Sequence, residues 1–487
     1  MLTHLELAQT ILSPGNRNAV RAWRMRIVLC SFAILGFLGC GEPPPDSRPA
    51  NVLLILIDTL RADHLSTYGY ERATSPRIDA FGEANLVFED VRSQAACTSP
   101  SVSSLLTSRS PLTLMDQPKG HMGIPREIPS FAEILQAKGY WTVAVSASPI
   151  VRKSPSEANR FGEFDRGFGL FHEDCLVDDA SCVNEAALQL LSVVTEPFFM
   201  YLHYMDVHGP YLPPPDFERP FSQEIHQPQF LREGRAEQLQ LVAKRGGIAV
   251  SPEEIDHLKD LYDDEIAYLD LHIGKLLDAL EERKLSENTI VVIASDHGEA
   301  FGERGYLGHC RVPIFEAMVQ TPLIMRIPGV HRPGPIKSQA QNIDIVPTIL
   351  DYLGLTPPDV DLEGRSLRAA IEEDAVVNPY VFTTQGVEVA VSDRDQTLTL
   401  NVENGETRLF DRHADPEHDQ DLATGATNGS EPLRSQVDQW LSSKPGAPKG
   451  KAIARNARRL EDELRALGYI QTSIETVPDG ADEPRER

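Results

Sequence analysis

Four stretches of this chain are apolar without alternation and then stop on a polar residue: 52–57 before Asp58, 141–145 before Ser146, 198–202 before His203, and 289–294 before Ser295. A strand with one wet face alternates apolar and polar side chains. A run that does not alternate suits a strand buried on both faces, as in a parallel sheet covered by helices. Between the runs lie helical patterns. In 258–280, Leu261, Ile266, Leu269, Ile273, Leu276 and Leu280 fall near a 3.6-residue spacing. The alternation predicts an α/β fold, a doubly wound and mostly parallel sheet flanked by helices. Ligands of such sheets bind beyond the carboxyl ends of the strands, so the polar residues that end the runs are the first to consider.

The remaining organisation follows from composition. Residues 329–334 read as a Pro/Gly turn, and 344–353 as a late helix with Pro347 in its first turn. Beyond about residue 370 the texture becomes β-prone, at 380–383, 387–391 and 397–402. We expect a main domain over 51–370, a small C-terminal α+β subdomain over 371–445, and then, over 446–487, a linker, a terminal helix lined by Leu460, Leu464 and Leu467, and an acidic tail. The 487 residues thus read as one large unit with an appendage.

Arg24 and Arg26 precede an apolar run at 27–38, followed by Gly39 and Cys40. The run is too short to span a bilayer, which takes about 20 residues, and it fits the core of a signal peptide. Residues 1–39 are read as that signal, with Met25 as a possible later start. Phe37-Leu38-Gly39-Cys40 resembles a lipobox, which implies lipidation at Cys40, and 40–50 reads as an extended tether. The expectation is export to the cell envelope or periplasm, with a lipid anchor as the chain's only membrane contact. In an oxidising compartment Cys175 and Cys182 are close enough in sequence to bridge. The sequence leaves open whether Cys97 and Cys310 also pair.

Lys and Arg number 46 against 72 Asp and Glu, a formal charge of −26. Loss of 1–39, which holds four arginines and Glu6, would make the chain more acidic still. Such a surface repels the nucleic-acid backbone and excludes it as a partner. An anionic small substrate would need a local positive centre, such as a metal.

The chain ends of the apolar runs supply a constellation. Asp58 follows the first run, and Asp296-His297 follows the last; carboxylates and an imidazole together make a cradle for a divalent ion, Ca²⁺, Mn²⁺, Mg²⁺ or Zn²⁺. In 96–107, Pro100 suits the first helical position, so Thr98 would sit at a helix N-terminus, where the dipole and free N–H groups favour anions. A metal-held hydroxyl there could act as nucleophile. His203, Asp206 and His208 follow the 198–202 run, and His309 lies twelve residues after His297.

With these motifs the chain resembles the sulfatase family of the alkaline-phosphatase superfamily. The matching stretches run in order through 51–70, 98–107, 199–214, 262–280, 295–308 with 321–329, 344–354, Glu363-Gly364-Arg365-Ser366-Leu367, Leu409-Phe410-Asp411 and Asp415-Pro416-Glu417. The resemblance implies the alkaline-phosphatase-like fold. It implies that Asp58, Asp296, His297 and Thr98 hold one metal, that His208 and His309 face the ester oxyanion, and that Thr59 and Asp206 are further substrate contacts. The formylglycine sulfatases carry Cys-x-Pro-x-Arg, and counting back from Ser104-Leu105-Leu106-Thr107 puts the nucleophile on Thr98. Cys97 is one residue early and Val102 stands in place of the arginine, so formylglycine is not expected. A Gly-Lys-Trp-His stretch is also missing from 140–148. A threonine ester cannot collapse to an aldehyde, so water or another acceptor must break it. The expected activity is metal-dependent hydrolysis of sulfate or phosphate esters of a small molecule, glycan or lipid headgroup. The alternatives are transfer of a phospho-group to envelope glycans or lipids, and a catalytically silent binding protein that kept the fold.

Overall fold

A computed structural model describes residues 49–115, 123–156, 163–175, 179–222, 251–310, 313–332, 334–355, 361–423 and 430–444. The expected signal peptide, Cys40, most of the tether, and the linker, terminal helix and tail beyond 445 lie outside the described residues. Among the described residues no helix is long and apolar enough to cross a membrane.

Strands β1 (Asn51–Ile57), β2 (Leu86–Val87), β3 (Trp141–Ser146), β4 (Leu170–His172), β5 (Phe198–Tyr204), β6 (Thr289–Ser295) and β7 (Leu323–Arg326) form one sheet in the order β2-β7-β6-β1-β5-β3-β4. The five strands from β6 to β4 are parallel. β7 runs antiparallel to β6, and β2 antiparallel to β7. The four non-alternating runs are the four adjacent strands β6, β1, β5 and β3.

The lack of alternation has a direct cause in the layers. Leu53, Ile55 and Ile57 of β1 point to one face and pack with Val183 and Leu190 of α2 (Ala180–Leu191) and Ile266 and Ile273 of α3 (Pro252–Glu282). Val52, Leu54 and Leu56 point to the other, against Val102 and Leu105 of α1 (Thr98–Thr107) and Ile345 and Ile349 of α4 (Ile345–Tyr352). Each such side chain, taken fully out of water, contributes about 1.5–3 kcal/mol. At the start of α3, Pro252 occupies the first turn and Ser251 and Glu254 form a reciprocal capping box.

Strands β8 (Val381–Gln385), β9 (Glu388–Ser392), β10 (Gln396–Asn401) and β11 (Thr407–Asp411) form an antiparallel meander. Leu433 and Val437 of α5 (Glu431–Ser443) pack on Val389, Val391, Leu398 and Leu409. This small sheet is fastened to the segment that leads into α1. Thr384 N–H donates to the Gln94 carbonyl at 2.9 Å and Ala96 N–H to Gln385 Oε1 at 3.1 Å. Beside this seam the buried Glu316 pairs with Arg92 and lies 3.4 Å from Arg412 Nε and 3.6 Å from His418 Nε2.

Candidate active site

The site sits where the central strands end. Ile57 is in register with Tyr204 on one side and Ser295 on the other, so the next residues, Asp58 and Asp296, emerge side by side. Asp58 N–H still donates to the Tyr204 carbonyl at 3.0 Å. Behind the first carboxylate, His203 Nε2 lies 3.3 Å from Asp58 Oδ2, and His203 Nδ1 lies 3.0 Å from the Tyr201 hydroxyl.

Asp58, Asp296 and His297 are wholly buried, and one ligand atom from each falls within 4.8 Å of the others. His297 Nε2 is 3.8 Å from Asp58 Oδ1 and 3.5 Å from Asp296 Oδ2. Neither Asp58 Oδ1 nor Asp296 Oδ2 has a hydrogen-bond partner. A buried charged oxygen without a partner is costly. Burial and the neighbouring Asp58 charge push the Asp296 carboxyl well above its ordinary range. At Asp58, burial acts upward too, but the hydrogen bond from His203 and the surrounding imidazoles outweigh it and hold the group low. Burial, helped by His309, takes His297 down to about 4, which keeps its ring neutral and its nitrogen available as a ligand. Two carboxylates and a neutral imidazole whose inward atoms lack partners fit a divalent cation.

α1 brings the hydroxyl. It begins at Thr98 with Cys97 as its N-cap, two residues earlier than Pro100 suggested; Pro100 is accommodated because the first turn needs no N–H from it. Thr98 Oγ1 lies 3.3 Å from His297 Nε2. One turn later, Ser101 Oγ donates to the Asp296 carbonyl at 2.6 Å, and Asn342 Nδ2 donates to the Ser295 carbonyl at 2.8 Å. The helix end and the metal cradle are therefore pinned to each other.

The imidazoles come from two loops. His208 and His309 meet edge to face at 4.9 Å between ring centroids, and His309 lies 4.6 Å from His297. Burial lowers His208. At His309 burial is opposed and overcome by Glu299, so its ring holds a proton above the ordinary range. Glu299 is buried, but the adjacent His309 keeps it ionised below its usual value. Arg61 and Tyr211 complete this support, Arg61 Nη1 donating to the Glu299 carbonyl at 3.0 Å and the Tyr211 hydroxyl to Glu299 Oε2 at 3.1 Å.

Two residues expected as substrate contacts have other partners. Thr59 sits at φ 56°, a strained conformation for a β-branched residue. Its N–H donates to Asp296 Oδ1 at 3.2 Å and its buried hydroxyl to the Val207 carbonyl at 3.0 Å, so it ties the two loops together. Asp206 Oδ1 accepts the Ala180 N–H at 2.8 Å, at the start of α2. Both cysteine pairs are bridged, Cys175 to Cys182 and Cys97 to Cys310. Sequence pattern alone does not single out Glu299, Arg61, Tyr211, Ser101, Asn342 or Gln385. Glu299 stands in the motif Asp296-His297-Gly298-Glu299, which was its only signal.

Comparison with known proteins gives the same family from several directions. The sulfatase family model matches residues 50–355. Human arylsulfatase A is 25% identical over 363 residues, covering 66% of this chain and 67% of that protein. Mouse iduronate 2-sulfatase is 27% identical over 379 residues, covering 65% and 67%. In structure, a phosphonate monoester hydrolase from Silicibacter pomeroyi superposes with a TM-score of 0.65 at 19% identity, covering 81% of this chain and 96% of that one. A 2-O GAG sulfatase superposes at 0.64 and 18% identity, covering 86% and 96%. These likenesses establish the alkaline-phosphatase-like fold.

Proposed function

Since the chain belongs to the sulfatase family, and is an ester hydrolase of the sulfuric or phosphoric class, we propose that it cleaves its ester through Thr98 as nucleophile. The single observation that carries this reading is the place of Thr98 Oγ1, at a helix N-terminus and 3.3 Å from His297 Nε2 in the cradle of Asp58 and Asp296. The neighbouring thiol is spent, because Cys97 is bridged to Cys310 and so is not available for oxidation to an aldehyde.

The chain's own groups then divide the work. Asp58, Asp296, His297 and Thr98 would hold a divalent ion, which when bound supplies positive charge against the ester oxygens and favours the alkoxide form of the hydroxyl. Thr98 Oγ1 attacks the central sulfur or phosphorus, and the bond to the alcohol oxygen breaks. His309, held charged by Glu299, gives the departing oxygen its proton, while neutral His208, whose Nδ1 donates to the Gly209 carbonyl at 2.7 Å, has an unprotonated Nε2 to take the proton that Thr98 gives up as it attacks. Water then adds at the same central atom and frees Thr98. The substrate is an anionic ester of a small molecule or glycan. Export through residues 1–39 and anchorage at Cys40 belong to the same reading.

The test is substitution. Thr98→Ala should lower kcat by at least about a thousandfold even at saturating metal, and Thr98→Ser should keep measurable turnover. Aryl sulfate, phosphate diester and phosphonate monoester substrates should be compared. Mass spectrometry of the peptide holding residue 97 should find a half-cystine; an aldehyde there would overturn the reading.

A further inference from the structure

Resting on the reading of Thr98 and His309 above, we propose that the Cys97–Cys310 disulfide is a positioning element of the active site, a covalent strut that sets the nucleophile's helix end against the turn carrying His309. Cys97 immediately precedes Thr98, and Cys310 immediately follows His309. The bond therefore links the flanks of two reacting side chains, through cysteines 213 residues apart along the chain. Cys175–Cys182 closes only a local loop.

The local backbone is built around this link. An N-cap residue ordinarily turns its side chain back to accept an N–H of the first turn. Cys97 has the extended N-cap conformation, and its carbonyl accepts Ser101 N–H at 3.1 Å, yet its side chain caps nothing. It is committed to the cross-link instead. Cys310 adopts φ 65°, the left-handed region that residues with a β-carbon rarely enter. There its N–H donates to the Ala96 carbonyl at 2.7 Å, so one hydrogen bond and one covalent bond join the same two segments. Gln385 holds the strut from the C-terminal sheet: its Oε1 accepts Ala96 N–H at 3.1 Å and its Nε2 lies 3.9 Å from Cys97 Sγ.

The consequence is catalytic because the reacting groups tolerate little displacement. The His309 ring lies 4.6 Å from the His297 ring between centroids, and Thr98 Oγ1 lies 3.3 Å from Nε2 of that same ring. A shift of about 1 Å between such groups costs up to about a hundredfold in rate. With the strut closed, the helix end and the His309 turn move as one body.

The experiment begins with non-reducing peptide mapping of the full chain, which should recover residues 97 and 310 in one linked pair; free thiols at both would overturn the proposal. The variant Cys97→Ala/Cys310→Ala should lower kcat about 10- to 100-fold with KM within about threefold. Dithiothreitol, a dithiol, gives two electrons and two protons to open the disulfide into two thiols and becomes a cyclic disulfide itself. It should bring wild-type kcat down to the variant's value, reversibly on reoxidation with glutathione disulfide, and leave the variant unmoved although both forms lose Cys175–Cys182. Unchanged kcat in the variant, or equal losses in variant and wild type, overturns the strut. Amide hydrogen exchange supplies a readout independent of turnover: peptides covering 94–101 and 305–310 should exchange faster in the variant, and equal exchange overturns the proposal. If Thr98→Ala keeps its activity, the nucleophile reading fails, while mapping and exchange still decide the strut.

Discussion

Both carboxylate oxygens of Glu299 lie against His309 Nδ1, at 3.1 and 3.2 Å, in a pair shut away from water. The ring is buried, which by itself disfavours its charged form, but the carboxylate reverses that and raises the pKa of His309. With Glu299 present the ring therefore stays protonated to higher pH. Glu299→Gln should lower that pKa and move the alkaline limb of the kcat/KM profile to lower pH, with kcat at neutral pH down about 10- to 100-fold. A limb that moves up, or stays, would sink this account of His309.

Gly298 follows two of the expected metal ligands and leaves no room for a side chain. A β-carbon there would stand 2.0 Å from the Ala317 carbonyl oxygen. The Gly298 and Glu299 N–H groups donate to the Met318 and Ala317 carbonyls at 2.9 and 3.1 Å, which brings that strand-end turn close against residues 317–318. Gly298→Ala must displace the turn carrying Asp296 and His297, at a cost of about 1–3 kcal/mol. The expected outcome is a lower Tm and metal affinity reduced at least about tenfold, read by thermal melting and calorimetric titration. Wild-type affinity in this variant would show that the turn has slack.

Metal binding should release a proton from the carboxylate pair. In the metal-free site Asp296 holds its proton far above the ordinary range because burial and the Asp58 charge oppose ionisation. A cation displaces that proton, so affinity rises with pH until the raised pKa of Asp296 is passed. His297, already neutral above about 4, adds nothing to this dependence. Calorimetry in buffers of different ionisation enthalpy, run below that pKa, should find proton release in the wild type and less of it in Asp296→Asn. Because only the folded site binds the ion, saturating metal at a hundred times Kd should add about 2.7 kcal/mol of stability, lost on chelation.

The two disulfides should differ in what they contribute to stability. A cross-link restricts the unfolded chain more as its loop lengthens, and the separations are 213 residues for Cys97–Cys310 and 7 for Cys175–Cys182. The chain-entropy estimate gives upper bounds of about 5 and about 2–3 kcal/mol. Denaturant unfolding of the two double alanine variants should therefore show the larger loss for the 97/310 pair. The reverse order would mean that the local bridge acts through native contacts.

Much of the site is legible along the chain, because its residues stand at positions that local pattern marks. Asp58 falls directly after an apolar run, Asp296 and His297 one and two residues after another, and Thr98 at the opening of a helix. The apolar runs also show that the central strands are covered on both faces. Strands β2, β4, β7 and β11 escaped that reading: β2, β4 and β7 have only two, three and four residues, and the antiparallel direction of β7 is set by the path of the chain around the sheet edge.

What residue pattern determined, then, is burial and its ends: which segments must be covered on both sides, and which polar residues are left at their tips as a candidate metal cradle with a hydroxyl beside it. What tertiary structure alone decided is who stands next to whom across the chain. Glu299 grips His309, Gln385 reaches from the C-terminal sheet to Ala96, and Cys97 joins Cys310. A strand's composition records that it has neighbours and not which they are. Those pairings follow from strand order and loop path, and they hold the side chains of the site at fixed distances.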